Sequence, residues 1–155
     1  MTAAPRYAIA VGQFYADLAE RLVEGAQEVL VAATGAPADV FGVPGAFELP
    51  LAAKYAAESG RYAGVVCLGA VIRGETSHYD HVCNETARGI ASVSLSTGVP
   101  CGFGVLTVET MDQALARTGA GKRHQGRDAA EAVLRMVELR AELPKPLRSP
   151  RSRRQ

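Results

Sequence analysis

Six consecutive residues, Arg73-Gly74-Glu75-Thr76-Ser77-His78, bring together a guanidinium, a glycine, a carboxylate, two hydroxyls and an imidazole. They follow an apolar run and precede a helical pattern. At such a junction the first N–H groups of the helix have no partner inside it, and the helix dipole favours negative charge. Gly74 leaves room for a ligand against the backbone, and Thr76 and Ser77 offer hydroxyl donors. The turn is therefore expected to hold an anion such as phosphate. A simple N-cap by Thr76 or Ser77 is the alternative that needs no ligand. His78 adds an imidazole, whose ordinary pKa of about 6.5 lets it take up and return protons near neutrality. His81, one turn further on, reads as a surface residue.

A second group is Gly45-Ala46-Phe47-Glu48. It combines an aromatic ring, backbone donors at a helix start and a carboxylate, which suits a flat polar ligand carrying hydroxyls. Glu48 favoured by the helix dipole and Phe47 in the core would explain the same residues without a ligand. Phe14 and Phe103, each read as lying at a strand end, could stack on a ring. Arg117 precedes the loop TGAGKRHQG at 118–126, in which Lys122, Arg123 and then Arg127 add positive charge. That loop is either a solvated basic surface or a second set of phosphate ligands.

These groups need elements to position them. Residues 7–11 (YAIAV) form a short apolar run, and 17–33 carry apolar residues at helical spacing. Residues 40–43 end at Pro44-Gly45. Residues 47–59 read as a helix stopped by Gly60. Residues 63–71 (AGVVCLGAV) are apolar throughout, as in a strand buried on both faces. Residues 79–97 form a long helical pattern stopped by Gly98 and Pro100. Residues 101–108 (CGFGVLTV) are a fourth strand, and 110–117 and 126–143 the last helices. Alternating strands and helices imply parallel strands joined by right-handed crossovers. The expected fold is a three-layer α/β sandwich: a four-stranded parallel sheet with helices on both faces. Ligands in such sheets bind beyond the carboxyl ends of the strands. That nominates residues 13–15, 44–48, 71–78 and 103–109.

The totals fit one folded domain over residues 1–143. The chain has 155 residues, enough for a sizeable core. A net charge of +1 gives no general attraction to nucleic acid or membrane surfaces. No apolar run reaches the roughly 18 residues of a membrane span. MTAAPRYAIAVGQF lacks the pattern of a signal peptide. The three cysteines, Cys67, Cys83 and Cys101, match no zinc spacing and read as small buried hydrophobes of a reducing compartment. A cytoplasmic protein is expected. Residues 144–155 (PKPLRSPRSRRQ) are basic and proline-rich and are expected to form a disordered tail.

Taken in order, GAFELP at 45–50, GAVIRGETSHYDHVCNE at 69–85 and FGVLTVETMDQALARTG at 103–119 closely resemble the lumazine synthase family. The resemblance runs over residues 7–143. It implies a flavodoxin-like fold and a place in riboflavin biosynthesis. The implied reaction joins 5-amino-6-(D-ribitylamino)uracil to 3,4-dihydroxy-2-butanone 4-phosphate, giving 6,7-dimethyl-8-ribityllumazine, water and phosphate. No metal and no redox cofactor are needed. By resemblance Phe14 stacks on the uracil, and Ala46, Phe47 and Glu48 bind the ribityl chain. Ala70, Val71 and Ile72 read the pyrimidine through their backbone. Gly74, Glu75 and Thr76 hold the phosphate, and His78 moves protons. Phe103 and Arg117 match residues that family members contribute across a subunit interface, Arg117 to the phosphate.

The resemblance further implies a homopentamer with sites between subunits. The short 118–126 loop favours a 60-subunit shell, with association with riboflavin synthase left open. Two residues depart from the pattern. Gln125 stands where the family usually has lysine, and Tyr15 where many members have asparagine. A weakened or retuned site is the expected consequence. A shell that binds flavin or lumazine without turnover, and a general phosphosugar binder, remain the competing readings.

Overall fold

The computed structural model describes residues 4–121, 123–144 and 147. The tail expected over 144–155 lies outside the described residues except for Pro144 and Leu147, as does Lys122. In chain order the elements are β1 (Tyr7–Gly12), α1 (Ala16–Thr34), β2 (Asp39–Val43), a 3-10 turn (Ala46–Glu48), α2 (Leu49–Glu58), β3 (Gly64–Ile72), α3 (His78–Thr97), β4 (Cys101–Val108), α4 (Met111–Ala116) and α5 (Gln125–Glu142). The strands form one parallel sheet in the order β2-β1-β3-β4. This is the flavodoxin-like, three-layer arrangement that the alternating pattern predicts.

The two central strands carry the apolar runs because both of their faces are covered. All six residues of β1 are buried, and β3 is buried from Gly64 to Gly69. Strand side chains alternate between faces, and the chain fills the two sides differently. Ile9, Val11, Val66 and Leu68 point to one core with Leu18, Leu22 and Leu30 of α1 and Ala130 and Val133 of α5. Ala8, Ala10, Val65 and Cys67 point to the other, against Leu49 and Ala53 of α2 and Ile90 and Val93 of α3. Each fully buried Leu, Ile or Val contributes about 1.5–3 kcal/mol relative to exposure. The layers thus hold the sheet rigid beneath its loops.

Two local details differ from the sequence reading. Residues 47–59 do not form one helix. Ala46–Glu48 make a 3-10 turn, and the α-helix starts at Leu49 with Pro50 in its first turn. Proline has no N–H to donate, so regular pairing begins only beyond it. Of the cysteines, Cys67 is fully buried, whereas Cys83 and Cys101 are half-buried. Burial pushes all three thiols up, so neutral thiols are favoured. No described helix is long and apolar enough to cross a membrane.

Candidate functional site

The strand order reverses between β1 and β3, which opens a crevice at their carboxyl ends. Backbone pairing continues past the strands on both sides of it. Gln13 N–H donates to Val43 O at 2.9 Å, and Arg73 N–H donates to Val108 O at 2.9 Å. The end of β1 rests on the turn after β2 so closely that a Cβ on Gly12 would stand 2.9 Å from the carbonyl carbon of Gly45. The three loops are therefore held against one another.

Between them is a cavity of about 630 Å³. The loop after β1 supplies Phe14 and Tyr15, and the loop after β2 supplies Gly45, Ala46, Phe47 and Glu48. The end of β3 supplies Ala70, Val71, Ile72, Gly74 and Thr76, and α3 supplies His78, Tyr79, His81, Val82 and Glu85. Ten of the sequence-nominated positions thus meet in one space: Phe14, Ala46, Phe47, Glu48, Ala70, Val71, Ile72, Gly74, Thr76 and His78.

Phe14 is 76% exposed and Phe47 61% exposed, so neither ring belongs to the core. The core alternative for Phe47 fails for this reason. Both are apolar rings left at the rim of a cavity, where a flat ligand would cover them. Phe14 meets Tyr15 edge to face, with centroids 4.9 Å apart and planes at 80°. Ala46 is buried and Glu48 half-buried. The first bond within their turn runs from Glu48 N–H to Gly45 O, so the N–H groups of Ala46 and Phe47 precede it.

On the opposite wall, Thr76 Oγ1 accepts from the backbone N–H of His78 at 3.3 Å. Ser77 occupies the N-cap position of α3 but makes no side-chain cap bond. An ordinary N-cap therefore does not account for Ser77. Glu75 is exposed and does not line the cavity. A Cβ at Gly74 would meet nothing within 4 Å, so the fold itself does not demand glycine there.

Arg73, the first residue of the turn, is paired with carboxylates of this chain. Its Nε lies 2.7 Å from Glu109 Oε2 and its Nη2 3.4 Å from Asp80 Oδ1. Its guanidinium sits 4.3 Å from the centroid of the Tyr79 ring. Burial raises the pKa of the Tyr79 hydroxyl, and a bond to Cys83 raises it further. With Arg73 engaged by two carboxylates, a phosphate at this turn would gain from a second cation.

Two expected residues lie elsewhere. Phe103 is not at a strand end: it is the third residue of β4, opposite Cys67. The sequence reading gave the strand its observed span of 101–108 but nominated residues 103–109 together as its carboxyl end, where only the last of them lie. Arg117 caps the C-terminus of α4, where its Nη1 donates to Gln113 O at 3.1 Å. Neither lines the cavity of its own chain. They are nevertheless joined. Gln125 donates its backbone N–H to Arg117 O at 2.9 Å and its Nε2–H to Phe103 O at 3.3 Å.

The sequence reading missed His81, Val82 and Glu85 as lining residues. With His78 they follow helical spacing of three and four residues, which puts them on one face of α3. That spacing was the available signal. A family model described as 6,7-dimethyl-8-ribityllumazine synthase matches residues 4–141 of the chain.

Proposed function

The chain belongs to the 6,7-dimethyl-8-ribityllumazine synthase family, an enzyme family of transferase-type condensation in riboflavin biosynthesis, and from that membership we propose that it condenses 5-amino-6-(D-ribitylamino)uracil with 3,4-dihydroxy-2-butanone 4-phosphate. The observation that carries this reading is the shared cavity. Phe14, Phe47 and Glu48 line it together with Gly74, Thr76 and His78.

In the proposed arrangement the pyrimidine lies on Phe14 and meets the backbone of Ala70, Val71 and Ile72. The ribityl hydroxyls meet Glu48 and the leading N–H groups of Ala46 and Phe47. The phosphate of the four-carbon substrate sits at Gly74 and Thr76, with Glu75 contributing its backbone N–H and its carboxylate turned to solvent. The 5-amino group forms an imine with the ketone and releases water, phosphate is eliminated, the product tautomerises, and ring closure with loss of a second water completes the lumazine. Each step moves protons, and His78 at the cavity wall supplies and removes them, a contribution of about 10²–10⁴-fold for a positioned group. Holding both substrates in one crevice supplies the remaining acceleration by orientation.

Arg117 and Phe103 lie outside their own chain's cavity, which supports a further part of the reading. They serve the site of a neighbouring subunit in a homopentamer, and a 60-subunit shell extends the same contacts. Arg117 then provides the second cation at the phosphate. A cytoplasmic location goes with this reading, since both substrates are small polar metabolites.

The test is to mix the folded protein with both substrates and follow the lumazine absorbance. Product formation well above the spontaneous rate is expected. Folded protein with no such excess would reject the synthase. If it also bound the lumazine tightly, the residue Gln125, which replaces the family's usual lysine, would favour a binding shell.

A further inference from the structure

We propose that His124 is a positioning residue whose neutral imidazole, by capping α5, holds Arg117 and Gln125 in place for the phosphate, and that taking up a proton releases them. The proposal rests on the reading of Arg117 as a phosphate ligand.

His124 is only 5% exposed, which is rare for a polar side chain in this protein. Its Nδ1 accepts two backbone hydrogen bonds, from Gly126 N–H at 3.1 Å and Arg127 N–H at 3.3 Å. The ring thus fills the role that serine, threonine, aspartate or asparagine usually plays at a helix N-terminus. It lies against α1 at Gly25. A Cβ on Gly25 would stand 2.2 Å from its Cε1, so only glycine leaves space there. A Cβ on Gly126 would likewise stand 2.3 Å from Leu22 O. The start of α5 and the middle of α1 therefore meet backbone to backbone, with the imidazole wedged beside the contact.

The cap is coupled to its neighbours along the chain. Asp128 N–H donates to His124 O at 2.9 Å and begins the helix. Gln125, the next residue after the cap, donates to both Arg117 O and Phe103 O. The hydroxyl of buried Thr118 bonds back to Ala114 O and Leu115 O. The C-terminus of α4, which carries Arg117, is thus tied to α5 through the residue beside His124.

This cap differs from an ordinary one in that it titrates. A neutral imidazole can accept at Nδ1, whereas an imidazolium carries N–H at both ring nitrogens and accepts at neither. A protonated His124 would set a third N–H against the donors of Gly126 and Arg127, at the positive end of α5. The charged groups around the ring are Arg127 and Asp128 on α5 and Glu28 on α1. Asp17, Glu20, Arg21 and Glu24 of α1 line the adjoining groove. Burial lowers the pKa of His124, Arg127 lowers it further, and Asp128 and Glu28 oppose them. The folded state therefore holds the proton less well than the unfolded chain. The cap is intact above the ordinary imidazole pKa of about 6.5, and its contribution falls as the pH drops below that toward the lowered folded value.

The experiment compares the full wild-type chain with His124→Asn and His124→Ala. An asparagine oxygen accepts the same bonds and does not titrate, whereas alanine removes the cap. The probe is inorganic phosphate, with its dissociation constant measured at about pH 8 and then in steps of falling pH for as long as His124→Asn stays folded, because the folded imidazole titrates below its ordinary pKa of about 6.5. At the higher pH, wild type and His124→Asn should bind phosphate alike, with His124→Ala roughly fivefold weaker. As the pH falls below about 6.5, wild type should drop progressively behind His124→Asn, toward roughly the same factor. Protonation of phosphate is common to both proteins and cancels in that comparison.

Parallel weakening of wild type and His124→Asn throughout the falling-pH series would overturn the proposal. So would alanine binding phosphate as wild type does, or no phosphate binding by wild type at all. If His124→Ala does not fold, the wild-type and asparagine proteins decide. The lumazine assay at about pH 8 separately decides the synthase reading, so the two failures are distinguishable.

Discussion

Nε of Arg73 lies 2.7 Å from Oε2 of Glu109, joining the residue after β3 to the residue after β4. The same guanidinium reaches Asp80 and covers the ring of Tyr79 in the first turn of α3. The turn that carries Thr76 and the helix that carries His78 are thereby tied to the sheet edge. Both ion pairs are open to solvent, so their effect on overall stability is small. Their effect is on where the turn sits. Lysine keeps the charge but cannot fork between two carboxylates or stack on a ring. Arg73→Lys should lower kcat about tenfold with a thermal midpoint close to wild type. Steady-state kinetics alongside thermal melting check this, and an unchanged kcat would show that Arg73 positions nothing.

His78 stands at the cavity wall with its backbone held by Thr76. His78→Ala should reduce kcat by roughly 10²-fold while the KM values for both substrates change little. Single-turnover measurements separate the chemical step from binding. A loss confined to KM would assign His78 to substrate binding.

The Phe14 ring is largely in solvent, so removing it should cost the fold little. Stacking of an aromatic side chain on a base contributes about 1–3 kcal/mol. Phe14→Ala should therefore weaken ribitylaminouracil binding by roughly tenfold or more, with unchanged affinity for inorganic phosphate. Titration calorimetry with each ligand gives the comparison. Equal loss of both would point to a disturbed fold.

Gly25 offers a case in which local propensity and packing give opposite signs. In the middle of a helix, Gly→Ala ordinarily stabilises by about 1 kcal/mol. Here the new methyl would enter the His124 ring. Gly25→Ala should destabilise by about 1–3 kcal/mol, as overpacking does. Urea unfolding of the two proteins decides the sign.

The order of strands and helices could be read from the chain because its signals are local. Apolar runs such as GVVCLGAVI mark buried strands, helical spacing marks α1 and α3, and Gly98 stops α3 with a left-handed backbone of φ 75°. The anion turn was equally legible, since residues 73–78 are contiguous and lie at one strand-to-helix junction. Less could be seen of what lines the cavity. His81 is exposed, as read, but its place on the cavity wall was missed because helical phase alone does not say which side of α3 faces the crevice. Phe103 was misplaced even though the strand itself was read over 101–108 as found, because it was assigned to the carboxyl end while standing third of the eight residues.

By itself, then, the sequence determined the alternating α/β architecture, the residues around the crevice and the family. Only the tertiary structure decided how Arg73 is neutralised, that Phe103 and Arg117 lie away from their own chain's cavity, and that a histidine caps α5 against a glycine of α1. The physical reason is distance along the chain. Gly25 and His124 meet only after β1, β3 and β4 have paired and the crossovers have brought α1 and α5 onto the same face of the sheet. Nothing in the neighbourhood of either residue specifies the other.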